Sequence, residues 1–362
     1  MAYTTIDDPS AYFQTKTYAG TDASPQAFTL DGNSDLQPDW VWIKNRGYAN
    51  KHVLFDSVRG VEESLTTNNN AGEVNQNADG GYLSAFNSDG FTLTEGSNSD
   101  NDTNDNRYTY VAWNWKAGGS ASTNSSGSTN SSVSVNTDAG FSIVSYTGAG
   151  ATTYGHGLGA TPNVIIIKKR TSDSGNNNWF VYHDKVITAG SGIKTFLTLN
   201  ETEPLKSNGS ATTFLSVSST TFGVGTDPII SESSHAFIAY CFAEKQGYSK
   251  FGDYKGNGSA DGPFIYTGFQ PAFVIIKATD QDGEGWFTFD NKRDADNAVD
   301  KHLIGNANGA EASGSHAMDF VSNGIKIRNG GDGTNTNNKN YVYLAFAEQP
   351  FTTSTGVPAT AR

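Results

Sequence analysis

Leu36-Gln37-Pro38-Asp39-Trp40-Val41-Trp42-Ile43-Lys44 is the first of three related copies of one motif in this chain. This repeated motif is the main indication of the fold. The other copies are Ala160-Thr161-Pro162-Asn163-Val164-Ile165-Ile166-Ile167-Lys168 and Phe269-Gln270-Pro271-Ala272-Phe273-Val274-Ile275-Ile276-Lys277. In each copy a proline precedes an apolar run that ends in a lysine. The prolines are 124 and 109 residues apart, whereas solenoid units repeat every 20–50 residues or so. This spacing predicts three tandem domains of about 100 residues each.

Short apolar runs bounded by Gly, Asn, Ser and Pro recur within each copy, and they are rich in Val, Ile, Phe, Tyr and Thr. Such runs are typical of an antiparallel sandwich or barrel. The proline fits the start of a strand, and the continuous apolar run after it fits a strand buried on both faces. Further shared runs lie at residues 53–55, 179–182 and 286–289, at 90–93, 221–224 and 324–327, and at 110–115, 237–244 and 341–348. We therefore predict an all-β protein of three tandem antiparallel β-sandwich domains, jelly-roll or lectin-like.

The composition predicts where these domains begin and end. Repeat 1 covers residues 1–116 and includes a short N-terminal attachment segment, repeat 2 covers residues 138–247 and repeat 3 covers residues 248–362. Residues 117–137 are almost entirely Gly, Ser, Thr, Ala and Asn, which predicts a flexible linker. Residues 245–254 carry three aromatic side chains, so we expect a stiffer junction between repeats 2 and 3.

Charge and hydropathy exclude several classes of partner. The net charge of −13 argues against nucleic acid, whose binding depends on Lys and Arg, and against an anionic membrane surface. No apolar stretch reaches the roughly 20 residues that span a bilayer, so we expect no membrane insertion. The N-terminus has neither a basic start nor an apolar core, so it is not a signal peptide. The single cysteine, Cys241, lies in an apolar run and is expected to be a buried core thiol.

Three stretches of the sequence together point to a family. They are residues 268–277, the closing Ala345-Phe346-Ala347-Glu348, and residues 247–264, which read Gly-Tyr-Ser-Lys-Phe-Gly-Asp-Tyr-Lys-Gly-Asn-Gly-Ser-Ala-Asp-Gly-Pro-Phe. The chain there resembles a repeat domain of marine bacteriophage (cyanophage-like) virion proteins, which are tail-fibre-like or otherwise structural. Repeat 1 departs from the pattern, with Trp113-Asn114-Trp115-Lys116 at its end. The resemblance implies a viral structural protein that is made in the host cytoplasm and displayed on the virion surface. It carries over no catalytic motif.

Three functional hypotheses follow. The first is a non-enzymatic, externally displayed fibre or adhesin-like module that binds host-surface glycan or other virion subunits, most simply as a homotrimer. The alternative is a head-decoration or cement protein with a purely structural role. The third is a polysaccharide depolymerase, which is disfavoured because no pair of acidic residues recurs across the repeats. No cofactor is expected apart from calcium.

Two acidic loops are the candidate calcium sites. One contains Asp100, Asp102 and Asn104, and the other contains Asp280, Asp282 and Glu284. Alternating oxygen-bearing side chains resemble the start of a calcium-binding loop. The first loop lacks the central glycine and the closing glutamate of such a loop, and the second has Asn291 in place of that glutamate. The alternative interpretation of each is a solvated surface loop.

Aromatic side chains supply the candidate ligand-binding residues. Trp40 and Trp42 alternate along one strand and Trp113 and Trp115 along another, so each pair shares a face of its sheet. The pairs form either part of the core or an exposed strip on which sugar rings stack. His156 lies in a glycine-rich loop, where it either shapes a turn or lines the rim of a ligand site.

Overall fold

The strands of this protein form six antiparallel sheets over the part of the chain that the structure describes. The computed structural model describes residues 3–76, 81–95, 103–173, 175, 177–187, 195–207 and 213–360. Over these ranges, helix is limited to a single 3-10 turn at Pro9–Ala11 and one α-helical turn at Pro228–Ser231. The predicted all-β, antiparallel sandwich fold is therefore confirmed.

Repeat 1 contains a large and a small sheet. Its strands are β1 (Phe13–Ala19), β2 (Gln26–Phe28), β3 (Trp40–Asn45), β4 (Val53–Asp56), β5 (Gly60–Thr66), β6 (Val74–Asn75), β7 (Tyr82–Asn87), β8 (Gly90–Thr94) and β9 (Thr109–Trp115). The large sheet has the order β1-β9-β3-β4-β5-β6, and the small sheet has the order β2-β8-β7.

Repeat 2 has the same plan with extra strands at the edges of its large sheet. Its strands are β10 (Ser122–Asn124), β11 (Ser131–Asn136), β12 (Phe141–Thr147), β13 (Thr152–Gly155), β14 (Val164–Lys169), β15 (Phe180–His183), β16 (Thr195–Thr198), β17 (Lys206–Ser207), β18 (Phe214–Val217), β19 (Thr221–Val224) and β20 (Ala236–Phe242). The large sheet has the order β10-β11-β12-β20-β14-β15-β16-β17, and the small sheet has the order β13-β19-β18.

Repeat 3 repeats the plan with the fewest strands. They are β21 (Ser249–Lys255), β22 (Phe264–Tyr266), β23 (Phe269–Ala278), β24 (Trp286–Asp290), β25 (Leu303–Ile304), β26 (Met318–Val321), β27 (Gly324–Ile327) and β28 (Asn340–Pro350). The large sheet has the order β21-β28-β23-β24-β25, and the small sheet has the order β22-β27-β26.

The run from proline to lysine forms the central strand of each large sheet. β3 lies between β9 and β4, β14 between β20 and β15, and β23 between β28 and β24. Every residue of these three strands is buried, as the continuous apolar runs predict. Pro38 and Pro162 precede their strands, whereas Pro271 lies within β23. The ladder to β28 shifts register on both sides of Pro271, which accommodates the N–H that proline lacks.

Each central strand contributes to two apolar cores, because its side chains alternate between the two faces. In repeat 1, Val41 and Ile43 point into a core between the large and small sheets. Repeats 2 and 3 have equivalent cores of their own. Trp40 and Trp42 point the opposite way, into a core that all three repeats share. The large sheets therefore pack on one another, and the small sheets cover their outer faces.

The shared core is built from the same positions in every repeat. The register of the ladders sets Trp42, Ile166 and Ile275 opposite Trp113, Tyr240 and Leu344, respectively. The next positions are Trp115, Phe242 and Phe346, and all nine side chains belong to this core. A closed apolar cavity of about 20 Å³ remains between them, with walls from each repeat. Burial of this much aromatic surface ties the repeats into one packed unit.

The structure differs from the predicted flexible linker at residues 117–137. β10 pairs with β11, and β11 pairs with β12 along five residue pairs, so this segment extends the large sheet of repeat 2. Its Ser, Thr and Asn content favours coil, but β-strand propensity depends strongly on context. The free edge of β12 supplies hydrogen-bonding partners that composition does not reveal. The shared core likewise opposes the expected movement of repeat 1 relative to the rest.

The N-terminal segment, which we expected to serve for attachment, lies along repeat 3. The Tyr3 hydroxyl donates a hydrogen bond to the Gly268 carbonyl at 2.6 Å, and the Thr4 hydroxyl donates one to the Gln246 carbonyl at 2.6 Å. Ile6 is buried in the shared core. Tyr3 and Thr4 thus contact the other two repeats before the chain enters β1.

Candidate functional site

Equivalent hydrogen bonds close the three repeats into a ring. Repeat 1 supplies a carbonyl to repeat 3, repeat 3 to repeat 2, and repeat 2 to repeat 1. The three contacts are Glu311 N to Arg46 O at 2.8 Å, Leu205 N to Thr279 O at 2.9 Å, and Glu73 N to Arg170 O at 2.7 Å. Each bond joins the same two equivalent positions, one in each of two repeats, and the three bonds follow one cyclic order. The repeats are therefore related by an approximate threefold axis.

Side chains from equivalent positions cross the same three junctions. Trp179 Nε1 donates to Thr66 O and Trp286 Nε1 donates to Thr198 O, each at 2.9 Å. His52 occupies the third equivalent position, and its ring faces the backbone of Ile304. Deep in the core, Trp113 Nε1 donates to Asp290 Oδ2 at 3.0 Å, and the Tyr240 hydroxyl donates to Asp56 Oδ2 at 2.8 Å.

Two of the three junctions contain a buried ion network. At one, Arg59 pairs with Asp56, and Glu73 lies 3.1 Å from Arg59 and 2.6 Å from Arg170. Neither Arg59 nor Asp56 has an exposed side chain, and the two carboxylates together raise the pKa of Arg59. The second junction repeats the network with Arg293, Asp290, Glu311 and Arg46.

The junction between repeats 2 and 3 carries neutral or apolar side chains at the same positions. His183 replaces the aspartate, Val186 the first arginine, Leu205 the glutamate and Thr279 the second arginine. Burial lowers the pKa of His183 to about 4, so its ring is neutral at pH 7. The ring contacts the Tyr343 carbonyl of repeat 3 at 3.4 Å. At these positions the junction is therefore held by packing and by a hydrogen-bonding contact of a neutral ring, in place of the ion network of the other two junctions.

The lysine one residue before the end of each central strand is buried at a junction. Lys168 Nζ donates to Lys169 O at 2.8 Å and reaches Asn70 O of repeat 1 at 3.4 Å. Lys277 Nζ donates to Thr202 O of repeat 2 at 2.8 Å. Desolvation lowers the pKa of Lys44 and of Lys168 to about 7 and that of Lys277 to about 8. These ammonium groups satisfy loop carbonyls, so their burial has a structural explanation.

The four tryptophans predicted as a ligand strip or as core belong to the core. Trp40 stacks on Tyr240 of repeat 2 with ring centroids 4.7 Å apart, and Trp115 packs edge-on against Phe346 of repeat 3 at 5.6 Å. Trp42 and Trp113 are also buried. The hypothesis of an exposed sugar-binding strip at Trp40, Trp42, Trp113 and Trp115 is therefore wrong, because the other two repeats cover it.

His156 shapes a turn beneath the surface. Its Nδ1 accepts a hydrogen bond from Leu158 N at 3.2 Å, and its Nε2 lies 3.1 Å from Ser218 O. The residue is buried, and desolvation lowers the pKa of its ring. Both ring nitrogens are thus engaged, and the ligand-rim hypothesis for His156 is wrong.

The calcium candidates do not converge on a site. Asp100 and Asp102 lie outside the described residues. Asn104 is buried, where its side-chain oxygen accepts from Thr21 N at 3.1 Å. Asp280 accepts from Asn340 N at 2.9 Å, Asp282 accepts from Gly283 N at 2.8 Å, and Glu284 accepts from Gln281 Nε2 at 2.9 Å. Asp282 and Glu284 thus stabilise their own loop, whereas Asn104 and Asp280 each join their loop to a distant segment of the chain.

Asp173, Glu232 and His235 form a metal-sized cluster that the sequence did not indicate. A search of the described residues for three or more His, Cys, Asp or Glu side chains with ligand atoms within 4.8 Å of one another gives this group. The Lys169 ammonium forms ion pairs with both carboxylates, and it lowers the pKa of Asp173 to about 2. The Lys169 ammonium thus already occupies this cluster and offsets one of its two negative charges.

The outer face of the small sheet of repeat 3 carries two exposed aromatic side chains. Phe264 is 50% exposed and Tyr266 is 54% exposed. Their strand β22 pairs with β27 so that Ile265 faces the core opposite Ile325. The equivalent inward residues are Phe28 in repeat 1 and Tyr154 in repeat 2. The positions of Phe264 and Tyr266 hold Ala27 and Thr29 in repeat 1, and Thr153 and Gly155 in repeat 2.

A groove of about 310 Å³ adjoins Tyr266. Tyr3 forms its second aromatic wall, with the two hydroxyl oxygens 3.4 Å apart. Lys250 lies on the polar side, where its Nζ donates to Glu244 Oε2 at 2.8 Å. Gly268 has φ +83°, and a Cβ there would lie 2.6 Å from the Tyr3 hydroxyl, so glycine is needed for Tyr3 to reach the groove. Sequence reasoning missed this site, although comparison of the three repeats at β22 indicates it.

A family model spans the whole ring. It is described as a domain of unknown function (DUF7483), and it matches residues 8–350. The chain belongs to the DUF7483 family. Comparison with curated proteins and with solved structures gave no match.

One DUF7483 match covers all three repeats, which agrees with a fold in which each repeat buries one face of its large sheet in a core shared with the other two. Among the described residues, no helix is long and apolar enough to cross a membrane.

Proposed function

We propose that this DUF7483 chain is a non-enzymatic structural subunit of a bacteriophage virion that decorates the surface of the head and binds other virion subunits. The shared core is the observation that carries the proposal, because it joins three repeats into one packed block. A cement subunit has to transmit load between its neighbours, which a compact block does well. The bacteriophage assignment is supported by the sequence resemblance at residues 247–277.

The approximate threefold axis supports a role in a lattice. Three equivalent faces on one chain match three equivalent neighbours around a local threefold axis. The ring supplies within a single chain the arrangement that three separate subunits would supply. The expected homotrimer remains a prediction.

An adhesin is the second candidate, and the groove at Tyr266 favours it. Multivalent capture by mobile domains would require the flexible linker that the composition predicts, but the repeats share a core. Glycan binding through Trp40 and its neighbours loses its basis as well, since those side chains are buried. An adhesin of this fold would therefore bind through the outer face of repeat 3.

Particles with and without the subunit separate the two candidates. For a phage that carries this gene, we expect an electron-microscopy map of intact heads to show the block at regular lattice positions. Particles made without the gene should release their genome at a lower temperature and should adsorb to the host normally. Unchanged heat resistance together with lost adsorption would instead establish the adhesin.

A further inference from the structure

We propose that the groove beside Tyr266 binds a neutral saccharide, with the Tyr266 ring as the stacking surface. This inference goes beyond the proposed decoration role and is independent of where the subunit sits on the virion. It starts from an internal comparison. The other two repeats build the same three-stranded sheet with Thr29 or Gly155 at this position, so the fold does not require an aromatic residue there.

The exposed position of the Tyr266 ring is not explained by a contribution to folding stability. A half-exposed aromatic ring leaves apolar area in water, and clusters of such rings mark binding sites. Phe264 has a structural explanation, because its ring lies against Gly324, where a Cβ would come within 2.9 Å of it. This contact resembles the aromatic cover that stabilises glycine in sheets. For Tyr266 the observed neighbour is Tyr3, which lines the same groove.

The polar side of the groove fits a sugar rather than an ion. The Glu244 carboxylate and the Lys250 ammonium form a balanced pair, so they offer acceptors and a donor to hydroxyl groups without net charge. The exposed Gln246 side chain adds both a donor and an acceptor. The net charge of −13 disfavours anionic ligands. Glu244 is the carboxylate among the described lining residues, and Lys250 already pairs with it, so the groove favours a neutral molecule with an apolar face over a cation.

Shape distinguishes the saccharide from a second copy of this chain. A volume of about 310 Å³ lies at the lower end of the range for small-molecule sites, roughly 300–1,000 Å³. The groove is concave, and Gly247 and Gly268 are among the residues that line it, so a flat sheet face does not fill it. Self-association also brings together two chains of like net charge. We therefore assign a short oligosaccharide to the groove.

The test uses the full chain and four probes: maltohexaose, cellohexaose, chitohexaose and a β-galacto-oligosaccharide. We expect at least one to bind, with saturation-transfer NMR signals from its ring protons and a dissociation constant measurable by calorimetry. Tyr266→Thr, which installs the residue of repeat 1, should weaken that binding at least tenfold. Lys250→Gln should weaken it by a smaller factor, because a donor is retained but its charge is lost.

Tyr48→Thr is the matched control, because Tyr48 is 49% exposed and lies on repeat 1, away from the groove. It should bind like the unmodified chain. The proposal fails if none of the four probes binds, or if Tyr266→Thr binds as well as Tyr48→Thr does. It also fails if sedimentation shows a dimer that Tyr266→Thr dissociates, since the groove face is then an interface between copies. Thermal unfolding of each variant excludes a loss of fold as the cause.

Discussion

Three buried lysines place ionisable groups in the junctions of the ring. Their lowered pKa values reflect the free-energy cost of burying a charged ammonium group. Lys44, Lys168 and Lys277 occupy the second-last positions of equivalent strands, and all three are buried. Desolvation lowers their pKa values well below 10.5, because a charged ammonium loses hydration that carbonyl oxygens replace only in part. The stability of the folded ring therefore depends on pH through the protonation of these lysines.

Stability should rise with pH between 7 and about 9.5. In this window the unfolded chain keeps the protons of these lysines while the folded chain releases them. Because the unfolded state binds more protons, the free energy of unfolding increases with pH. Lys168, with a folded pKa of about 7, should contribute about 2 kcal/mol between pH 7 and 9. Tyrosine ionisation sets the upper limit of the window.

Lys168→Met tests this linkage by urea unfolding at several pH values. The gain in the free energy of unfolding between pH 7 and 9 should fall by about 2 kcal/mol relative to the unmodified chain. Lys185→Met, at a partly exposed lysine of the same repeat, should leave the gain unchanged. An identical pH slope in Lys168→Met would contradict a proton release at this site.

Removal of one partner from a buried ion pair should be costly. Asp56→Ala leaves Arg59 charged and buried without its main partner, and such changes cost about 3–5 kcal/mol. Asp261→Ala is the control, because Asp261 pairs with Lys326 at the surface with its own side chain 84% exposed. Such pairs contribute about 0–1 kcal/mol. Equal losses of unfolding free energy in the two variants would show that the junction network is not the stabilising element.

At the scale of elements, pairing partners override local composition. β10 and β11 consist largely of Ser, Thr and Asn, yet β11 is hydrogen-bonded along β12. Val133 is buried in the core of repeat 2, so the strand contributes packing as well as backbone hydrogen bonds. The same segment with no sheet edge beside it would be the flexible linker that its composition predicts.

Hydrogen exchange distinguishes a strand from a linker. Amides of Ser131–Asn136 that pair with Phe141–Thr147 should be protected to nearly the same degree as those of the partner strand, because both open only when the sheet edge opens. Peptides that cover residues 350–358, near the C-terminus, give a comparison from an edge of the fold. Exchange of residues 131–136 at the rate of free peptide would restore the linker interpretation.

For the whole molecule, the shared core implies cooperative unfolding. Each large sheet buries one face against the other two repeats, so loss of any repeat exposes Trp, Phe and Tyr side chains of the remaining pair. We expect one calorimetric transition for the full chain, with equal calorimetric and van't Hoff enthalpies. Three separate transitions would contradict a common core.

A truncated chain sharpens this test. Residues 248–362 alone should fail to fold as a soluble monomer, since Phe273, Leu344 and Phe346 would face water. A soluble, folded monomer of repeat 3 with a sharp thermal transition would show that the repeat is autonomous. The full chain, purified in the same way, is the reference.

The sequence by itself predicted the all-β fold and the three central strands. Proline spacing and continuous apolar runs are local signals, and the period of a strand follows from backbone geometry. Comparison of Trp40, Val164 and Phe273 also showed that repeat 1 carries larger side chains at equivalent positions. Two interpretations of those tryptophans stayed open, because an apolar strip looks the same in sequence whether water or another repeat covers it.

Only the tertiary structure decided how the repeats meet. Packing of the repeats on one another buried the tryptophans, and pairing at the edge of β12 placed Ser122–Asn124 and Ser131–Asn136 in a sheet. Contacts within repeat 2 engaged His156, and Tyr266 stayed exposed beside a groove. The physical reason is that hydrophobic burial has no direction of its own. Which surfaces it joins depends on chain connections and on shape complementarity across more than 100 residues of sequence separation. Such long-range pairing leaves no periodic signal in the sequence.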